Sequence, residues 1–126
     1  MSKKSDCIFC RIIQGEIESP KVFENEEFIC IRDIRPQAKT HLLVIPKKHI
    51  DSLEMAFQNS ETNERANERE LMGALLETTT QIAKSQGLLP GGFRTVINTN
   101  QHGGQTVFHI HLHLLGGEPL AGGFGV

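Results

Sequence analysis

Tryptophan and tyrosine are absent from this 126-residue chain, so aromatic packing falls to seven phenylalanines. Cysteine is scarce too: three residues cannot all pair with one another, and a reducing cytosol keeps such thiols free. Neither sign of charge is in excess, with 13 basic against 15 acidic residues for a net −2. That leaves no broad attraction for a nucleic-acid backbone or an acidic membrane, despite a local basic spot at Pro46-Lys47-Lys48. Long apolar runs are missing as well. No segment approaches the length that spans a bilayer, and the basic start MSKKSDCIFC leads into no signal-type hydrophobic stretch. The expectation is a single domain over 1–126, resident in the cytoplasm and binding neither membrane nor nucleic acid.

Against those absences stand clear local signals. In CIFCRIIQGEI, Ile8, Phe9, Ile12 and Ile13 have helical spacing and Gly15 offers a stop, which predicts a short N-terminal helix. KVFENEEFICIRDI reads as two short strands around ENEE, a hairpin without the usual Asn-Gly turn. THLLVIP is a near-continuous apolar run closed by Pro46, the pattern of a central strand. Leu53 to Phe57 reads as a helical turn and QNSETNERANE as loop or fraying helix. The main helix is expected from about Glu68, with Leu71, Leu75, Thr79 and Ile82 on one side and Gly87 and Pro90 as its stop. GGFRTVINTN predicts a strand, QHGGQT a glycine-rich loop, and VFHIHLHLL the last strand. The sum is an α+β domain: an antiparallel sheet of about five strands, one long helix and a short N-terminal helix, with the sheet covered on one face.

Half of the six histidines lie in that last strand at every other position. Alternation puts His109, His111 and His113 on one face and Phe108, Ile110, Leu112 and Leu114 on the other, the core side. At roughly 3.3 Å per residue, neighbouring members stand on the order of 7 Å apart at their Cα atoms, close enough to converge on a metal or a phosphate. An imidazole with an ordinary pKa of about 6.5 presents a neutral nucleophilic nitrogen while a neighbour can hold a proton. Before the row, Gly103 and Gly104 allow a loop that turns backbone N–H groups inward, and the Thr106 hydroxyl adds a donor; together they suit a phosphate without a P-loop lysine. Cys7 and Cys10 form a CxxC pair. Zinc takes about four N or S ligands in a tetrahedron. His49 and one histidine of the row are the candidates to complete the set, a choice that spacing alone leaves open. Cys30, within FICI, reads as a buried packing residue.

Taken together, CIFCRIIQGEI, ICIRDIRPQAKTHLLVIPKKHI and INTNQHGGQTVFHIHLHLLGGEPL resemble the histidine triad superfamily over nearly the whole chain. Its signature is His, apolar, His, apolar, His, apolar, apolar, and the likeness is to its Hint branch, the histidine triad nucleotide-binding proteins. The resemblance implies a homodimer of α+β fold that binds purine nucleoside monophosphate derivatives and cleaves nucleoside phosphoramidates and acyl-nucleotides. It implies His111 as the nucleophile that attacks the α-phosphorus and carries the nucleotidyl group until water releases it. His113 and His41 would assist at the phosphate and the leaving group, while Asn98, Gly104, Gln105 and Thr106 would line the phosphate pocket. Asp33 would hold the ribose hydroxyls, and Ile8, Phe9, Ile12, Ile31 and Ile34 would form the base slot. In members with CxxC, zinc is held by that pair, the histidine after PKK and the first of the triad, here Cys7, Cys10, His49 and His109.

Two features depart from the family pattern. The segment DSLEMAFQNSETNERANERE looks longer than its usual counterpart, and the tail GGFGV lacks the aromatic-rich ending that in some relatives reaches the partner subunit's site. The sibling branch of dinucleoside polyphosphate hydrolases usually carries Pro-Arg where this chain has LLGGEPL, and nucleotidyltransferases have Gln at the position of His113. From other classes come a nucleotide-binding regulatory module with little turnover and a purely structural zinc row; intact His111 and Thr106 favour the enzyme.

Overall fold

The computed structural model describes residues 6–58 and 62–123, so the basic start, part of the polar segment and the last three residues lie outside it. In chain order the elements are α1 (Ile8–Ile13), β1 (Lys21–Glu24), β2 (Phe28–Arg32), β3 (Thr40–Pro46), α2 (Leu53–Ala56), α3 (Thr62–Ser85), β4 (Phe93–Val96), a 3-10 turn (Gln101–Gly103) and β5 (Leu112–Gly116). All neighbouring strands pair antiparallel in the order β1-β2-β3-β5-β4, the five-stranded α+β arrangement that the sequence predicts.

Local chemistry accounts for the element ends. Cys7 caps α1, its Sγ accepting the Cys10 N–H at 3.4 Å, and Gly15 turns the chain out at φ +81°. The β1–β2 hairpin closes without Asn-Gly because the Asn25 side-chain oxygen accepts the N–H groups of Glu27 and Phe28, at 2.9 and 2.8 Å. β2 and β3 are apolar at successive positions and are therefore buried on both faces. Phe28, Cys30, Leu42 and Val44 pack with Leu112, Leu114 and the inner face of α3 (Leu75, Ile82, Ala83). Ile29, Ile31, Leu43 and Ile45 pack with Phe9, Cys10 and Ile12 of α1. The expectation of one covered face is thus corrected: both faces carry an apolar layer, because these strands do not alternate polar with apolar. Cys30 sits in the first layer, where burial pushes its thiol up to about 12 and makes it an inert packing group.

Two element bounds also differ from expectation. α3 begins at Thr62 and not near Glu68. Its polar first turns are rich in Glu, Arg and Ala, good helix formers whatever their hydropathy, and buried Glu68 anchors them by accepting from Lys48 Nζ at 3.0 Å. The last strand begins at Leu112 and not at Val107. Past the Val44–Leu112 pair the ladder ends, since Pro46 has no N–H to offer, its C=O accepts the His109 ring, and the Ile110 N–H goes to Ile50 O at 2.8 Å. Phe108, expected on the core side, therefore lies off the sheet and 46% exposed. Among the described residues no helix is long and apolar enough to cross a membrane.

Candidate functional site

The second apolar layer brings three separate segments of the chain together. Cys7 and Cys10 at the start of α1, His49 after β3, and His109 ahead of β5 place their ligand atoms within 4.8 Å of one another, all buried. Cys7 Sγ lies 3.4 Å from His109 Nδ1, Cys10 Sγ lies 3.2 Å from His49 Nδ1 and 3.6 Å from His109 Nδ1, and the two Nδ1 atoms are 3.1 Å apart. With Zn–S near 2.3 Å and Zn–N near 2.0–2.1 Å, the edges of a tetrahedral S2N2 site are roughly 3.3–3.8 Å, so the cluster matches its size. Tautomers support the fit. His109 Nε2–H donates to Pro46 O at 2.7 Å and His49 Nε2–H to Asp51 Oδ1 at 2.7 Å, which leaves both Nδ1 atoms as lone pairs. Two lone pairs facing each other at that distance repel unless a cation stands between them. Burial also holds His109 down to about 4, keeping the ring in the neutral form a metal needs.

His111 is aimed by the residue that completes this cluster. Its Nδ1–H donates to the main-chain O of His109 at 2.8 Å, so Nε2 carries the free lone pair. Burial lowers its pKa, which favours the neutral, nucleophilic ring. The Phe9 ring meets it edge-on, with centroids 5.0 Å apart, and fixes its plane.

On β5, His113 pairs across the sheet with Leu43 and stands beside His41 of β3. His41 Nδ1 accepts the Gln37 N–H at 3.0 Å, so its proton is on Nε2, 2.9 Å from His113 Nδ1 and 3.4 Å from Asp33 Oδ2. His113 Nδ1 is therefore the acceptor and Nε2–H the outward donor. Burial, then the neighbouring rings of His111 and His41, hold its pKa down to about 4. Both nitrogens of His41 are committed, which makes it a residue that sets the tautomer of His113 while its proton also faces Asp33. The trio Asp33, His41 and His113 is compact enough for a metal, yet a ligating His41 Nε2 would need a proton on Nδ1, against the Gln37 N–H. Asp33 Oδ1 accepts the Arg35 N–H at 2.8 Å, an Asx turn that fixes the carboxylate.

The loop before the row is closed on itself more than the sequence suggests. The Gly104 N–H bonds Gln101 O and the Gln105 N–H bonds Asn100 O, each at 3.0 Å, so these donors shape the turn instead of pointing inward. Gly104 takes φ +86°, which only glycine accepts readily. The Gln105 side chain is buried in backbone contacts, whereas exposed Thr106 enters none of the hydrogen bonds among the described residues. Asn98 is half-buried between β4 and this turn. Of the five apolar residues expected at a base slot, Phe9, Ile12 and Ile31 are buried in the second layer, while Ile8 is 47% and Ile34 86% exposed. An isoleucine that exposed, next to Asp33, has surface to offer a ligand.

Sequence reasoning missed Gln37, Pro46 and Asp51. Gln37 and Pro46 act through main-chain groups that any residue type carries, so no signal announces them. Asp51, two residues after His49, carried a weak one: a ligating histidine usually hands its second N–H to a carboxylate.

The family model for the scavenger mRNA decapping enzyme C-terminal binding region matches residues 6–122. Protein HitA of Neisseria gonorrhoeae is 43% identical over 111 residues, 88% of this chain and 95% of that one. The purine nucleoside phosphoramidase of Escherichia coli K12 is 39% identical over 115 residues, 91% and 90% of the two chains. Among solved structures, a HIT family hydrolase from Legionella pneumophila has TM-score 0.83 at 46% identity, covering 92% of this chain and 96% of its own. A histidine triad protein from Clostridium difficile has TM-score 0.86 at 37% identity, covering 96% and 98%. With a family match over nearly its whole length and the His109, His111, His113 row set on one side of the sheet, the chain belongs to the histidine triad (HIT) family.

Proposed function

We propose that this protein is a hydrolase of purine nucleoside phosphoramidates and acyl-nucleotides that works through a covalent nucleotidyl-histidine. The observation that carries the reading is the opposed tautomers of two neighbours. His111 is locked by the His109 carbonyl with its lone pair on Nε2, and His113 is locked by His41 with its proton on Nε2. A nucleophile and a hydrogen-bond donor thus stand side by side, with ring centroids 5.1 Å apart, as a phosphoryl group under attack requires.

In the proposed reaction His111 Nε2 attacks the α-phosphorus, the new N–P bond forms, and the bond to the amine or acyl group breaks. The Nδ1–H···O=C bond to His109 strengthens as the ring gains positive charge. His113 Nε2–H and the Thr106 hydroxyl hydrogen-bond to the phosphoryl oxygens; an acyl group leaves as its carboxylate, while an amine leaves with a proton taken up from solvent, which the later attack of water returns. Water then cleaves the nucleotidyl-histidine, which releases the nucleoside monophosphate and restores the neutral ring. Asp33 takes the ribose hydroxyls, with the base against Phe9, Ile8 and Ile34. The Cys7, Cys10, His49, His109 set would hold zinc, which supplies a structural cross-link there. We read the working form as a homodimer and its ligands as purine nucleoside monophosphate derivatives. One protein similar to it bears the name purine nucleoside phosphoramidase.

The test is release of AMP from adenosine 5′-phosphoramidate by wild type and by His111→Ala, both shown to be folded. Release by wild type, its loss in the variant, and an intact-mass adduct of one nucleotidyl group in the wild type are the expected results. No release by folded wild type would overturn the phosphoramidase reading. Cleavage of a dinucleoside polyphosphate would then point to the sibling hydrolases, and AMP binding without turnover to a regulatory module.

A further inference from the structure

Gln105 is 6% exposed, and its amide faces no open site. Its Oε1 accepts the Asn100 N–H at 2.8 Å, and its Nε2 donates to Asp51 O at 2.7 Å and Val107 O at 3.1 Å. Both amide hydrogens are used, so the side chain cannot donate to a phosphate without giving up a half-buried carbonyl. The residues it grips are informative. Asn100 opens the turn at φ +60° and ψ −174°, a left-handed backbone unusual for a non-glycine residue, and its Nδ2 donates to Glu54 Oε1 at 2.9 Å. Asp51 is the residue whose carboxylate takes the His49 Nε2–H at 2.7 Å. One amide therefore joins the strained corner of the phosphate-side turn to the residue that orients a ligand of the Cys/His centre.

We propose that Gln105 is a positioning residue that couples the two halves of the site: through Asp51 it transmits the order of the Cys7, Cys10, His49, His109 centre to the 100–107 turn that presents Thr106. The proposal deepens the functional reading above and rests on it in taking that turn to face the reacting phosphate and the Cys/His centre to hold zinc. Coupling of this kind is reciprocal in free energy, so the turn also feeds back on metal retention.

Gln105→Glu isolates the link. It keeps an oxygen for the Asn100 N–H and replaces the donor to Asp51 O and Val107 O by an oxygen facing two carbonyls. Gln105→Ala, which removes both ties without adding a charge, is the second variant. The measurement is backbone amide hydrogen exchange at Gly104 and Gln105, whose partners Gln101 O and Asn100 O are main-chain groups untouched by either change. It is made on zinc-loaded protein and on protein stripped by a chelator, with bound zinc counted in each sample. In wild type, zinc is expected to slow exchange at both amides by about tenfold, within the ordinary range of coupling between linked sites. Both variants are expected to keep one zinc yet exchange fast with or without it, and to lower kcat on the phosphoramidate with KM little changed. Equal zinc-dependent protection in the variants, or none in wild type, overturns the coupling. If stripped wild type does not stay folded, equal protection in zinc-loaded wild type and Gln105→Glu overturns it by itself. Exchange needs no substrate, so an absence of phosphoramidase activity leaves this outcome readable and sinks only the functional reading.

Discussion

Zinc held by Cys7, Cys10, His49 and His109, as proposed above, is expected to supply a large part of this domain's stability. The four candidate ligands come from the start of α1, the segment after β3 and the approach to β5, so one ion there would close three loops of the chain at once. Their Nδ1 lone pairs face each other at 3.1 Å, so the stripped protein must rotate a ring, protonate one, or bear the repulsion. With free zinc at about 1,000 times its Kd, binding to the folded state alone adds about 4 kcal/mol. For a chain of this length that corresponds to roughly 15 °C in Tm. The assay is thermal unfolding followed by circular dichroism, with protein dialysed against a chelator and then titrated with zinc. One ion per chain is expected to bind, and Tm to go on rising with the logarithm of free zinc beyond that point. Cys10→Ser, which weakens the soft ligand in contact with both His49 and His109, should abolish most of the rise. Asp51→Ala should leave the stoichiometry at one and weaken affinity by about 10–100-fold, because it removes the acceptor for His49 and no ligand. A Tm indifferent to zinc, with no ion bound per chain, would refute the reasoning.

Further tests follow from single positions. His113 is held down to about 4 by burial and by the rings of His111 and His41, below the roughly 6.5 of the unfolded chain. The folded state therefore binds fewer protons between those values, and the stability due to this ring is complete above about 6.5 and lost as pH falls toward 4. Melting curves from pH 7.5 to 4.5 should show a shallower acid limb for His113→Gln than for wild type; parallel limbs would contradict the assignment. Ile31 is buried and Ile34 is not, so Ile31→Ala should lower stability by about 2–5 kcal/mol in a urea titration. Ile34→Ala should stay within about 0.5 kcal/mol yet raise KM for the nucleotide, and an unchanged KM would remove Ile34 from the base slot. In α3, the Thr79 hydroxyl is fully buried and has no hydrogen-bond partner among the described residues. Thr79→Val should gain about 1 kcal/mol, seen as a rise in Tm, and a fall would mean the hydroxyl is satisfied after all.

Much of this molecule was legible in one dimension, where the signal depends on near neighbours. The apolar spacing of α1 with Gly15 behind it, the hairpin around ENEE, and the unbroken apolar run ended by Pro46 each follow from local sterics and burial, and the structure has them all. Less was legible wherever polarity stood in for conformation. The first turns of α3 read as loop or fraying helix because they are polar, although Glu, Arg and Ala propagate a helix well and Glu68 finds Lys48 across the chain.

By itself the sequence determined the residue types and their periodicity. Three histidines at every other position, a CxxC pair and a Gly-Gly-Gln-Thr loop are enough to state what chemistry is available. Tertiary structure decided which atom of each residue is available. The proton on His111 is placed by the His109 carbonyl, that on His113 by His41, and those on His49 and His109 by Asp51 and the Pro46 carbonyl. Apart from Asp51, two residues from His49, these partners lie far apart in the chain or are main-chain carbonyls that every residue carries, so no pattern of side chains could announce them. The same reason separates Gln105 from Thr106. Adjacent in sequence, one is consumed by main-chain carbonyls from two segments and the other is left exposed, a division that only the folded path of the chain could make.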